Sequence, residues 1–190
     1  VGSETLTLSG NGVIGNANVG DSRPLTNVSG LTLGNGSNGG LAANYTLSGG
    51  TQVLSVTKRP VTISGSRFYD GTTTVSSSDI DTFNNRVSGQ SLTITGSGTV
   101  STALSASGKT IILGTLSLAD GSGGLASNYS LSGGTFNVNT RQLNVSGSRV
   151  YDNTTTVNGS DLVVATGVGA EVMTLSGQGS IANANVGDNI

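Results

Sequence analysis

Histidine and cysteine, which most catalytic triads and all thiol chemistry need, are absent from this 190-residue chain. Any metal site must therefore be built from oxygen ligands, and only ten acidic residues exist to supply carboxylates. Four of them stand in patterned surroundings. Asp70 and Asp152 each follow a tyrosine, in Tyr69-Asp70-Gly71-Thr72-Thr73 and Tyr151-Asp152-Asn153-Thr154-Thr155. Asp79 and Asp81 flank Ile80, and alternating carboxylates can bind calcium in secreted modules. Residue type thus leaves calcium at Asp70, Asp79, Asp81 or Asp152 open. Against it, Val163 stands at the position matching Asp81, and the glycine loops lack the recurring Asp of calcium-binding nonapeptides. The competing reading of the Tyr-Asp pairs is structural. The ring fills a core, and the carboxylate accepts the N–H groups of the turn that follows. Gly71 and Asn153, the residue types most tolerant of left-handed backbone, fit such a turn.

Other chemistry has little to work with. Nothing marks a pair of carboxylates for glycoside cleavage. Self-formed Lys–Asn or Lys–Asp cross-links need a lysine in each domain. Only Lys58 and Lys109 exist, and Thr140 and Arg23 stand at their matching positions. No catalytic, cofactor-binding or metal-ligating residue is assigned, and the chain is not expected to be an enzyme or to need a cofactor. Net charge is −2 with no basic cluster, which argues against nucleic-acid binding. No apolar run approaches the roughly 20 residues that span a bilayer as a helix, so membrane insertion is not expected.

The residues that could do chemistry recur because the chain repeats itself. RPVTISGSRFYDGTTTVSSSDI from Arg59 matches RQLNVSGSRVYDNTTTVNGSDL from Arg141, 82 residues on. GLAANYTLSGGT from Gly40 matches GLASNYSLSGGT from Gly124. ETLTLSGNGVIGNANVGD from Glu4 matches EVMTLSGQGSIANANVGD from Glu171, with QSLTITGSGTV from Gln90 between them. Residues 59–140 then read as one whole copy, residues 1–58 as the back of a preceding copy, and residues 141–190 as the front of a following one. Starting and stopping within a repeat fits a piece of a longer array.

Strands must position these residues. Thr5–Ser9, Val61–Ser64, Leu92–Thr95, Ile111–Leu113, Tyr129–Ser132 and Phe136–Val138 are short β-rich runs, several alternating apolar residues with Ser or Thr. GNGSNGG and DGSGG read as turns. One short helical turn fits near Ser76–Phe83. With hydrophobic residues at 34% and only seven aromatics, the cores must be small, and Tyr45, Tyr69, Phe83, Tyr129 and Phe136 are expected to fill them. The architecture is therefore expected to be all-β, as tandem antiparallel sandwich-like domains. A β-grasp-like repeat is the second choice and a β-solenoid the third. Strand Gln52–Thr57 runs through Lys58-Arg59-Pro60 into Val61, a short join that predicts a stiff rod.

The pattern VTISGSRFYDGTTTV, then QSLTITGSGTV, then LASNYSLSGGTFNV resembles the YDG-type repeat domains of large bacterial hemagglutinin-like adhesins, commonly exported by two-partner secretion. Asn153 in place of Gly71 is the departure in the third copy, one a turn accepts. The resemblance implies an extracellular stalk on the bacterial surface, serving adhesion or biofilm formation. Its partners would be neighbouring repeats, with polysaccharide or host surfaces engaged through other regions. Two other classes compete: a carbohydrate- or protein-binding module, and a filament subunit joined by exchanged strands.

Overall fold

A computed structural model describes residues 2–48 and 54–187 throughout, together with the backbone of Val53. Gln52, the glycines and threonine of residues 49–51, and Asp188 lie outside the described residues. The described chain is all-β, with small antiparallel sheets and no closed barrel. Its helical content is limited to three-residue 3-10 turns, at Ala42–Asn44, Ser77–Asp79, Ala126–Asn128 and Gly159–Asp161.

The residues group by packing into two bodies. The first holds Val1–Thr62, Phe83–Thr95 and Ser117–Ser132. Within it, β1 (Leu6–Gly10) pairs with β4 (Leu31–Asn35), Leu8 opposite Leu33. Strands β2 (Val13–Ile14), β3 (Gly20–Asn27) and β5 (Val53–Val56) form a three-stranded sheet. Buried Val61, Leu92 and Tyr129 make the core, with Phe83 and Leu118 packed against it. Alternation drives this burial: in LTIT, Leu92 is buried and Thr93 exposed. Each fully buried side chain of this size contributes about 1.5–3 kcal/mol.

The second body holds Ile63–Thr82, Gly96–Leu116 and Gly133–Ile190. Its fully buried side chains are Ile63, Val75 and Phe136, with Val100, Ile111, Leu116, Val138 and Val168 nearly so. The longest strands, β6 (Arg59–Phe68) and β13 (Tyr129–Asn139), belong to one four-stranded sheet with β8 (Ile80–Asn84) and β11 (Ala106–Thr110), in the order β11-β13-β6-β8. A shorter ladder here pairs β7 (Thr74–Ser76) with β10 (Ser97–Thr99), while β9 (Leu92–Thr95) pairs with β12 (Ser117–Asp120) in the first body. In the third copy β14 (Val145–Gly147) pairs with β16 (Leu162–Val164), and β15 (Thr156–Asn158) with β17 (Gln178–Ser180).

Several expectations from sequence change here. Arg59 and Pro60 belong to β6, so the join after β5 is only Thr57 and Lys58. Tyr129–Ser132 and Phe136–Val138 are one strand, because Gly133-Gly134 carries the chain past a neighbour instead of turning it. A Cβ on Gly134 would overlap the carbonyl of Ile63. Ile111–Leu113 is not a strand. Ile111 donates its N–H to Gly134 and Ile112 exchanges both bonds with Thr99, so consecutive residues serve different partners and no ladder continues. The helical turn near Ser76–Phe83 does form, at Ser77–Asp79, closed by a reciprocal Ser76–Asp79 capping box.

Candidate functional site

The Tyr-Asp-Gly turn is organised by Arg67, which precedes it at the end of β6. The Arg67 guanidinium donates to the carbonyls of Thr72 and Thr74, so it bridges the turn to the start of β7. It lies 3.3 Å from Asp70 and 3.9 Å from Asp79. Asp70 Oδ1 accepts the Thr72 N–H at 2.9 Å and the Thr72 hydroxyl at 3.0 Å. Asp79 Oδ2 accepts the Ser76 N–H at 2.8 Å. Burial works hardest on Asp70, disfavouring its charge. The Thr72 N–H, the Thr72 hydroxyl and Arg67 together outweigh it and hold the carboxyl below its ordinary value.

The matching turn in the third copy repeats the device. Arg149 donates to the carbonyls of Thr154 and Thr156 and sits 2.9 Å from Asp152. Asp152 accepts the Thr154 N–H at 3.0 Å and hydroxyl at 2.9 Å, and these bonds, with Arg149, lower its pKa. Gly71 and Asn153 both have left-handed φ, +78° and +59°. The expected role of the aspartates as acceptors for their turns is therefore what the structure has. Arg67 and Arg149 were the partners that sequence reasoning missed, although a Gly-Ser-Arg run stands before both Tyr-Asp pairs. Asp81 takes only a long bond from Ser66, at 3.4 Å. Among the described residues no three acidic side chains converge on a point that could hold a metal ion.

Tyr45, Tyr69 and Tyr151 depart from the expectation that their rings fill cores, and Tyr129 meets it. Tyr129 is buried, its hydroxyl donating to Gln90 at 2.5 Å. Tyr45 and Tyr69 are half-buried, and Tyr151 is 55% exposed with its hydroxyl on Asn153. Tyr69 and Tyr45 give their hydroxyls to Glu171 and Glu4 respectively, and these carboxylates raise both phenol pKa values. The physical reason is the polar hydroxyl: it goes to a carboxylate at the edge of the fold, which holds the ring at the surface. Phe83 is likewise half-buried, whereas Phe136 is fully buried as expected.

Tyr69 and Glu171 border a recess of about 290 Å³, whose other walls include Leu104, Arg141, Val168 and Met173. It lies at the lower edge of ordinary small-molecule sites, which run about 300–1,000 Å³. It presents one cation, one carboxylate already bonded to a phenol, three hydroxyl residues (Ser105, Thr140 and Thr166) and apolar walls. No nucleophile there is hydrogen-bonded to a base. Lys109 spends its ammonium on Thr102, bonding the hydroxyl at 2.8 Å and the carbonyl at 3.2 Å.

The arrangement is that of a small antiparallel β-domain whose polar side chains hold its own turns. Residues 55–136 match the family model of the YDG domain, so the chain contains a YDG domain there, with Tyr69-Asp70-Gly71 inside it. No curated protein and no solved structure matches the chain.

Proposed function

We propose that this chain is a structural segment of a bacterial cell-surface adhesin, in which sandwich-like copies follow one another as a stiff extracellular spacer without catalytic activity. The observation that carries this reading is the join between β5 and β6. Only Thr57 and Lys58 separate the two strands, and neither is Gly, Ser or another residue that frees the backbone. Pro60, the second residue of β6, fixes its own φ and keeps Arg59 before it in the extended region. The recurrence of the arginine-held turn in the next copy supports the same reading, since a spacer built by duplication needs each copy to fold alike. The join into the third copy is longer, with residues 140–144 between β13 and β14, and it is the more pliable of the two.

In this reading the partners are neighbouring copies, and other regions meet the polysaccharide or host surface in adhesion or biofilm formation. Small-angle scattering on chains of two, four and six copies tests it. Maximum dimension should rise linearly, by roughly 30–40 Å per copy, from the size of an 82-residue domain. Growth near the square root of copy number would replace the spacer with flexible beads.

A further inference from the structure

Strands β6 and β13 open and close the complete copy, and they are neighbours at the centre of the four-stranded sheet, with β8 and β11 outside them. Unlike the antiparallel ladders around them, these two run parallel. The Ser132 hydroxyl donates to the Val61 carbonyl at 3.1 Å, Gly134 lies against the Ile63 carbonyl, and the Tyr69 N–H donates to the Asn139 carbonyl at 2.9 Å. Residue numbers rise together along both strands, as they do only in a parallel pair. The chain therefore enters the copy at Arg59, at one end of this pair, and leaves it after Asn139, at the opposite end.

That arrangement fixes how the copy meets a pull along the chain. Tension on Arg59 and Asn139 acts along the strands and across their hydrogen bonds. The inter-strand bonds then share the load and must fail together. A pull on the same end of both strands would instead open the bonds one at a time. Each bond contributes only about 0.5–1.5 kcal/mol net, so failing together or in turn decides the height of the barrier. Packing adds to it. Among the described residues the largest fully buried side chains are Phe136, Ile63, Val61 and Val75, and all but Val75 stand on β6 or β13. Sliding one strand past the other drags these side chains through a close-packed core. Both strands are also paired on their outer sides, by β8 and β11, so neither peels away as an edge.

We propose that the complete copy is a tension-resisting module, in which β6 and β13 form a clamp against pulling along the chain. Thr57-Lys58 delivers the load to β6, and Thr140-Arg141 takes it from β13. A spacer between a cell and an attached surface is pulled from both ends, so the setting of this function rests on the spacer reading. The clamp itself rests on strand direction and needs no stiffness at the joins, since a flexible string transmits tension as a rod does.

Single-molecule pulling on the 190-residue chain tests the proposal. The chain has no cysteine, so an introduced pair gives unique handles. Lys58→Cys with Thr140→Cys loads the two strands from opposite ends. Lys58→Cys with Ser127→Cys loads both from the same end, because Ser127 lies just before β13. All three positions are exposed, and the two chains differ only in the second handle, so the comparison reads the direction of the load. At one pulling speed the opposite-end pair should unfold at a several-fold higher force. Equal forces, or a stronger same-end pair, overturn the proposal. Held by its own two ends with no substitution, the chain should release residues 59–139 in the event that needs the greatest force. That event should lengthen it by roughly 230–250 Å, the extended length of this stretch less one folded strand. Release of that length before the rest of the chain gives way also overturns the clamp. Forced unfolding follows the unfolding rate, whereas the scattering test follows the joins. Linear growth of scattering dimension therefore survives a failed clamp, a clamp survives flexible joins, and the two readings fall separately.

Discussion

The Arg67 guanidinium lies 5.5 Å from the centroid of the Phe136 ring. One residue thus closes the Tyr-Asp-Gly turn on one side and caps the most deeply buried aromatic on the other. The ring supplies apolar burial, and the charge over its face adds about 0.5–2 kcal/mol. Sequence and core meet at this contact: a motif that looks like a surface turn is tied to the packing beneath it.

Phe136→Ala should be among the most damaging single substitutions. The ring is completely buried, and truncation leaves a cavity under Arg67. A loss of about 3–5 kcal/mol is expected from chemical denaturation. A loss under 1 kcal/mol would mean that Phe136 does not anchor a core.

Replacing the two matched arginines should give unequal results. Arg67→Met removes bonds to two carbonyls and contacts with two carboxylates at a side chain only 10% exposed, whereas Arg149 is 20% exposed and faces an Asp152 that is 50% exposed. The Arg67 variant should lose about 1.5–3 kcal/mol, the range for hydrogen bonds to charged groups. Arg149→Met should lose less, and equal losses in thermal denaturation would refute the difference in setting.

Acid should weaken the fold through Asp70. Its folded pKa lies below the unfolded value of 3.8, so its contribution is complete above pH 3.8 and is lost as pH falls through the folded pKa. Asp70→Asn should therefore flatten the stability profile below pH 3.8. Identical acid profiles for variant and wild type would show that Asp70 has no part in it.

Alkali should act through Tyr69 in the opposite sense. Its folded pKa is raised above 10.0 by Glu171, so its contribution is complete below pH 10.0 and is lost as pH rises through the folded value. Phenolate absorbance should reveal a late-titrating tyrosine in the wild type, and Glu171→Gln should bring that titration earlier. No change on Glu171→Gln would remove the bond from consideration.

Gly65 should resist substitution even by alanine. A Cβ there would overlap the Asp79 carbonyl, and Gly147 faces the Asp161 carbonyl in the same way. Gly65→Ala must push β6 away from the 3-10 turn, at a cost of about 1–3 kcal/mol by analogy with overpacked cores. Hydrogen exchange should quicken at Ser76 and Ile80, and wild-type protection in the variant would contradict the close approach.

What the sequence determined by itself is local. Alternation in LTIT placed Leu92 inward, Asp70 and Asp152 bonded the turns that follow them, and the Ser-Asp spacing capped the turn at Ser77–Asp79. Each involves residues within a few positions, where backbone geometry leaves few choices. Only the tertiary structure decided which partners lie across the chain. Tyr69 meets Glu171 and Tyr129 meets Gln90 because folding brings them together, and no spacing in the sequence distinguishes a buried phenol from an exposed one. Tyr129–Ser132 and Phe136–Val138 read as two separate runs until Ile63 is placed against Gly134, where glycine is required by contact. Tyr129 and Tyr151 show the same division: one residue type, one core position and one surface position, decided by which strands arrive to cover the ring.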